Sequence, residues 1–157
     1  MAASSFANRL AVSTTFPRLS AGMQAPIRVG FLAPLSGSLR SWGLPGLYGC
    51  QIWVEWLNRK GGLMLAGCRY PVEIKHYDCA YDGQEALIGA QELVEQHDIK
   101  LLMMLGGDTL TPLRDYLNHR KLLTATLLPS DLSPDNPYLI APSELHPIIN
   151  VTGVEWL

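Results

Sequence analysis

The chain of 157 residues is poor in the features that commit a protein to redox chemistry, nucleotides or membranes. It has three cysteines, Cys50, Cys68 and Cys79, too few and too irregularly spaced for a disulfide scaffold, and the odd count leaves at least one thiol unpaired. No apolar run is long enough to span a bilayer. Lys and Arg total 12 against 14 acidic residues, for a net charge of -2, and no basic stripe is present. That balance argues against nucleic acid or an anionic membrane surface as the main partner, because both need a positive face. Neither a Walker loop nor Gly-x-Gly-x-x-Gly occurs; Gly43, Gly46 and Gly49 are spaced differently and belong to a loop entering a helix, so no nucleotide cofactor is expected. The first 26 residues lack acidic side chains and are rich in Ala, Ser and Thr, unlike everything that follows, and read as a leader or disordered extension. A secretory signal needs a continuous apolar stretch, yet Leu10–Val12 is broken at once by Ser13-Thr14-Thr15; Met23 is an alternative start just before the first strand.

What is present is alternation. The length suits one domain with a sizeable core. "IRVGFLAPLSG" makes a strand and a loop, and in "LPGLYGCQIWVEWLNRKGG" the residues Leu47, Cys50, Val54 and Leu57 recur at helical spacing until Gly61-Gly62 stops the helix. "CRYPVEIKHYD" alternates as a strand near a sheet edge, with Pro71 at its start. Gly83 to Gln96 gives a second amphipathic helix with Ala86, Ala90, Leu93 and Val94 inward. "KLLMMLGGDTLTPLRDYL" supplies a third strand and helix, the helix capped by Thr111 and opened by Pro112; "KLLTATLLPSDL" is a fourth strand and "NPYLIAPS" a fifth. The pattern predicts an α/β fold, an open parallel sheet with helices on both faces. Residues 27–142 form this lobe, and residues 143–157 begin a further helix.

In such a sheet every strand delivers its C-terminal loop to one rim, where ligands bind near the switch point in strand order. Leu35–Gly43, Asp78–Gly83, Gly106–Thr111 and Leu128–Asp131 are therefore expected to meet. Gly106-Gly107 lets the backbone approach whatever sits above the strand, and a helix starting near Pro112 points N–H groups at the same place, which makes a receptor for a polar ligand end. The plain alternative is a tight strand-to-helix turn. Other groupings are weaker. His76 and Cys79 with Cys68 lack a fourth metal ligand, and a strand separates the two thiols. Asp78 and Asp82 read as solvated turn carboxylates rather than an acid/base pair, and Ser143, near His146, as a helix cap. Trp53 and Trp56 read as packing on the sheet, over strand one.

In order and wording, Ile27–Leu157 resembles the N-terminal lobe of the type I periplasmic binding proteins, the leucine/isoleucine/valine-binding group that serves ABC transporters. "IRVGFLAPLSG" is similar to the family's first strand and loop, and "YGCQIWVEWLNRKGGLMLAGCRYPVEI" to its first helix, Asn-x-x-Gly-Gly stop and second strand. "YDCAYDGQEALIGAQELVEQHDIKLLMML" is similar to its Asp-rich turn, second helix and third strand, and "NPYLIAPSE" to the last strand before the second lobe. The resemblance implies a clam-shell binder of a small solute, with no catalysis, cofactor or metal, and a membrane permease as partner if exported to the periplasm. It also implies a second lobe that the chain, ending at Leu157, does not contain. A cytosolic sensor of the same fold, of the amide-sensing type, is the alternative. By position the resemblance puts Trp42 as an aromatic lining residue and Gly107, beside Asp108 and Thr109, where amino-acid binders hold the ligand carboxylate. Leu128 and Ser130 fall where backbone carbonyl and hydroxyl groups hold the ligand amine. Gly107 lacks a hydroxyl and Asp108 adds negative charge, which makes branched-chain amino acids a poorer fit. An aromatic Trp42 and an apolar Leu128 would also accept a flat ligand such as an aromatic acid or an amide.

Overall fold

The computed structural model describes residues 24–142. Positions 1–23 of the expected leader, and the expected crossover helix with Ser143 and His146, lie outside the described residues.

Strand β1 (Ile27–Ala33) alternates in use as well as in sequence: Val29, Phe31 and Ala33 pack toward one side of the sheet and Leu32 toward the other. Helix α1 (Arg40–Arg59) covers the first side with Gly43, Leu47 and Val54, supported by the half-buried Cys50 and Leu57. The chain then makes a small antiparallel hairpin, β2 (Leu63–Leu65) and β3 (Cys68–Tyr70), before β4 (Val72–Asp78). The expected single strand from Cys68 is therefore two. Pro71 separates them, because it has no N–H to continue a ladder, and Ala66 and Gly67 turn the hairpin with φ of 48° and 80°.

Helix α2 (Gly83–His97) crosses to the opposite face with Ala86, Gly89, Ala90 and Leu93 buried. Its start follows from Asp82, whose carboxylate accepts from Gln84 N at 2.8 Å and Glu85 N at 2.9 Å. Gly89 is required by packing: a Cβ there would stand 2.3 Å from Tyr77 Cδ1. Strand β5 (Leu101–Met104), helix α3 (Arg114–Arg120), β6 (Leu123–Thr126) and the short β7 (Leu139–Ile140) complete the element order. The main sheet is parallel throughout, in the order β4-β1-β5-β6-β7, with β4 at an edge. Its larger core lies under α2 and α3 and holds Leu32, Leu93, Leu102, Leu110, Leu113 and Leu117.

Two further expectations fail here. Thr111 does not cap a helix that starts at Pro112. The chain instead winds through two 3-10 turns, Gly107–Thr109 and Thr111–Leu113, and α3 begins only at Arg114 without a side-chain cap. Tight bonds from Leu110 N to Gly107 O (3.0 Å) and Leu113 N to Leu110 O (2.9 Å) draw Leu110 and Leu113 into the core, and that burial outweighs a regular helix start. Nor do Trp53 and Trp56 cover strand one. They are 52% and 53% exposed, because the buried stripe of α1 runs through Leu47, Cys50, Val54 and Leu57, one position off each tryptophan. Lys60 instead sits over the Trp56 ring, 4.8 Å from its centroid.

Candidate functional site

The strand order reverses beside β1, so the loops after β1 and β5 diverge there and leave a crevice. A hollow of about 110 Å³ lies at that place, lined by Leu39, Trp42, Tyr81 and Leu105. These residues come from the loops after β1, β4 and β5 and the first turn of α1, although the sequence separates them widely. A larger hollow of about 490 Å³ lies at the other end of the sheet, against Lys100, His119, Arg120 and Lys121. It gathers the ends of α2 and α3 with the starts of β5 and β6, the end where open parallel sheets do not hold ligands, so the rim hollow is the better site.

Trp42 is 69% exposed and presents its ring to solvent at the hollow. Tyr81 faces it from a turn in which Ala80 and Tyr81 both have positive φ, 47° and 66°. Two successive left-handed residues with side chains are costly, and such strain collects at binding turns. Asp78 holds that turn: its Oδ1 accepts from Leu35 N at 2.8 Å and Ala80 N at 2.9 Å, so one carboxylate ties the loop after β1 to the loop after β4. Burial raises the Asp78 carboxyl, but hydrogen bonds from the Ser36 hydroxyl and from the backbone of Ala80, Leu35 and Ser36 outweigh it and hold the group below the ordinary Asp value.

The glycine turn is built around a residue that sequence reasoning passed over. Gly107 N donates to both carboxylate oxygens of Asp131, at 3.0 and 3.2 Å, and Thr126 Oγ1 donates to Asp131 Oδ2 at 2.5 Å. Gly106, with φ 87°, has to be glycine: a Cβ there would fall 1.9 Å from Asp131 Oδ2 and 2.0 Å from Thr126 Oγ1. Asp131 is buried at 5% exposure, and among the described residues it has no cationic partner.

Of the residues expected at the site, Trp42, Gly107 and Leu128 come together at the rim. A methyl placed on Gly107 would stand 3.3 Å from Leu128 Cδ1 and 3.6 Å from Tyr81 Oη, so Tyr81 links the hollow to the glycine turn. Asp108 is exposed beside them. Thr109 is buried and its hydroxyl is donated to Gly106 O at 2.9 Å, which closes the first 3-10 turn. Ser130 is exposed on the 3-10 turn Pro129–Asp131, and the carbonyl of Leu128 accepts from Asp131 N at 2.9 Å. Cys79 is buried at the rim end of β4, while Cys68 is exposed at the other end in the hairpin. Among the described residues no group of three His, Cys, Asp or Glu side chains stands close enough to hold a metal.

A family model described as periplasmic binding protein matches residues 26–157. The chain belongs to the periplasmic binding protein family. No curated protein matches its sequence. Among solved structures, this periplasmic binding protein chain is similar to an ABC transporter substrate-binding protein from Sphaerobacter thermophilus, with TM-score 0.57 and 25% identity over 74% of this chain and 32% of that one. An ABC transporter substrate-binding protein from Aeropyrum pernix gives TM-score 0.71 and 19% identity over 85% and 35%. The branched-chain amino acid binding protein LivJ from Streptococcus pneumoniae, solved with isoleucine, gives 0.64 and 21% over 76% and 34%. The last two likenesses are of fold. This periplasmic binding protein chain spans about a third of the length of each of these neighbours.

Proposed function

We propose that the chain supplies one lobe of the solute-binding component of an ABC transporter, taking a small polar solute at the rim and presenting it to a membrane permease. The amino acids, amides and aromatic acids that the sequence suggests are the solutes to consider. Family membership together with the place of the hollow supports this reading: Trp42, Tyr81, Leu39 and Leu105 meet at the crevice where the strand order reverses. An apolar wall with a few placed polar groups, here Tyr81 Oη and the exposed Ser130, suits a small solute held by shape and hydrogen bonds. By this reading Trp42, Gly107, Asp108, Leu128 and Ser130 belong to the ligand-facing surface, and Thr109 supports the turn beneath them. Such a lobe binds and releases without bond making, closing against a second lobe.

The test is a thermal-shift screen of the protein against amino acids, amides and aromatic acids. A solute that binds the folded chain alone raises its midpoint in a saturable way. One class should do so, and a Trp42→Ala variant should lose the response. A flat result with every class counts against solute binding.

A further inference from the structure

Helix α1 is apolar on two sides. Gly43, Leu47 and Val54 face the sheet, where the helix packs on β1 and β4. On the opposite side Pro45, Gly49, Ile52 and Trp56 follow one another at intervals of four, three and four, the spacing of a coiled-coil seam, with Tyr48 and Trp53 flanking it. All six are exposed, Ile52 at 68% and Tyr48, Trp53 and Trp56 at 52%, 52% and 53%. The outer face of a surface helix is ordinarily polar, and a helix apolar all round is ordinarily buried. Among the described residues nothing covers this side of α1.

Three features point to a second copy of the chain as the cover. The first is order. Ile52 has an aromatic ring one helical turn away in each direction, Tyr48 toward the N-terminus and Trp56 toward the C-terminus. An antiparallel α1 laid across a two-fold axis at Ile52 therefore sets Ile52 against its own copy and Tyr48 against the partner's Trp56. A two-fold interface requires that kind of self-complementarity. Gly49, with nothing within 4 Å of a Cβ, leaves room for two helices to approach.

The second is charge. Glu55 and Arg59 form an ion pair within the helix, so the ionic side chains beside the seam cancel and two copies meet without net repulsion there. Lys60 lies over the Trp56 ring at the C-terminal end of α1, and the two-fold axis puts its copy at the other end of the paired helices. The third is area. Aromatic side chains offer about 150–250 Å² each, so the exposed parts of Tyr48, Trp53, Trp56 and Ile52 amount to about 400 Å² per copy. Doubled, and with Pro45 and the exposed stems of Glu55 and Arg59 added, this reaches about 1,000 Å², the lower bound of a specific interface and the size of a reversible one.

We propose that the outer face of α1 is a self-association surface, on which two copies of this chain pair α1 against α1, antiparallel about a two-fold axis at Ile52. The inference does not rest on the solute-binding reading.

Sedimentation equilibrium of the full chain from about 5 µM to about 1 mM tests it, and should show a reversible monomer–dimer equilibrium with a Kd of about 10–500 µM. Ile52→Lys and Ile52→Glu each bring two like charges together at the axis and should weaken the dimer at least about tenfold. An equimolar mixture of the two variants sets Lys against Glu there and should associate to within about threefold of the unaltered chain. Leu123→Lys is the control, on a residue 41% exposed on the same side of the sheet as α1, and should leave the dimer unchanged. A chain that stays monomeric at every concentration overturns the inference. If that monomer sediments with vesicles containing phosphatidylglycerol, the face belongs to a lipid surface instead. A dimer that survives both charged variants, a mixture no tighter than either variant alone, or a loss in Leu123→Lys equal to that in Ile52→Lys also overturns it. If the charged variants do not fold, Trp56→Ser takes their place, and an undiminished dimer in that variant has the same meaning.

Discussion

Asn58 is hydrogen bonded in both directions to the backbone of Val72: its Nδ2 donates to Val72 O at 2.8 Å and its Oδ1 accepts from Val72 N at 2.9 Å. One side chain thereby pins the last turn of α1 to the first residue of the edge strand β4, with the whole hairpin looped out between them. The outward backbone groups of an edge strand otherwise depend on water.

Asn58→Ala should therefore lower stability by about 1–3 kcal/mol, because both half-buried backbone groups of Val72 lose their partner. Urea unfolding followed by circular dichroism reads the shift. The Trp42 indole signal at the opposite end of the sheet should not move.

Gly106→Ala should destabilise by more than about 1 kcal/mol, since the φ of 87° disfavours any Cβ and the new carbon would overlap Asp131 and Thr126. Gly49→Ala in α1 is the control. Nothing lies within 4 Å of a Cβ there, so the helix should gain up to about 1 kcal/mol. Equal loss in both would show that the glycine turn is not shaped around Asp131.

Thr126→Val removes the hydroxyl that donates to the buried Asp131 carboxylate while keeping the shape of the side chain. A cost of about 1.5–3 kcal/mol is expected, the range for a hydrogen bond to a charged group. In Thr126→Ser most of that loss should return. A neutral result for valine would mean that Asp131 does not depend on this donor.

Asp78 should make stability fall on the acid side. Its carboxyl is held below the ordinary Asp value in the folded chain, so its contribution is complete above that value and is lost as pH falls through the folded value. Thermal midpoints measured from about pH 6 to about pH 2 should drop below about pH 4. In Asp78→Asn the drop should be shallower, from a lower starting midpoint.

Trp53→Ser should change stability by less than about 0.5 kcal/mol, as exposed positions do, and Trp56→Ser, which also gives up the Lys60 contact, by less than about 1 kcal/mol. A loss of several kcal/mol from either would mean that the ring packs on the sheet after all.

The strands and helices were legible because burial repeats with the period of the element. Val72 and Ile74 alternate along β4, while Ala86, Ala90 and Leu93 fall on one helical stripe, and each pattern has one economical fold. The glycine pair was legible as a turn, and the convergence of four loops followed from parallel strands alone. Asp131 and Tyr81 were not legible as individuals, although both loops were. Nothing adjacent in sequence distinguishes Asp131 from Ser130; only the bond from Gly107, 24 residues earlier, does so. Trp53 and Trp56 misled because an aromatic pair one step from an apolar stripe looks inward until the phase of the helix is fixed by its contacts with β1.

The sequence by itself determined the period of each element, the parallel order that follows from alternating strands and helices, and hence the rim at which ligands gather. Only the tertiary structure decided which groups face one another there. Local patterning is governed by which face of an element avoids water, whereas the meeting of Gly107 with Asp131, or Trp42 with Tyr81, depends on strand order and loop path, terms that no single segment carries.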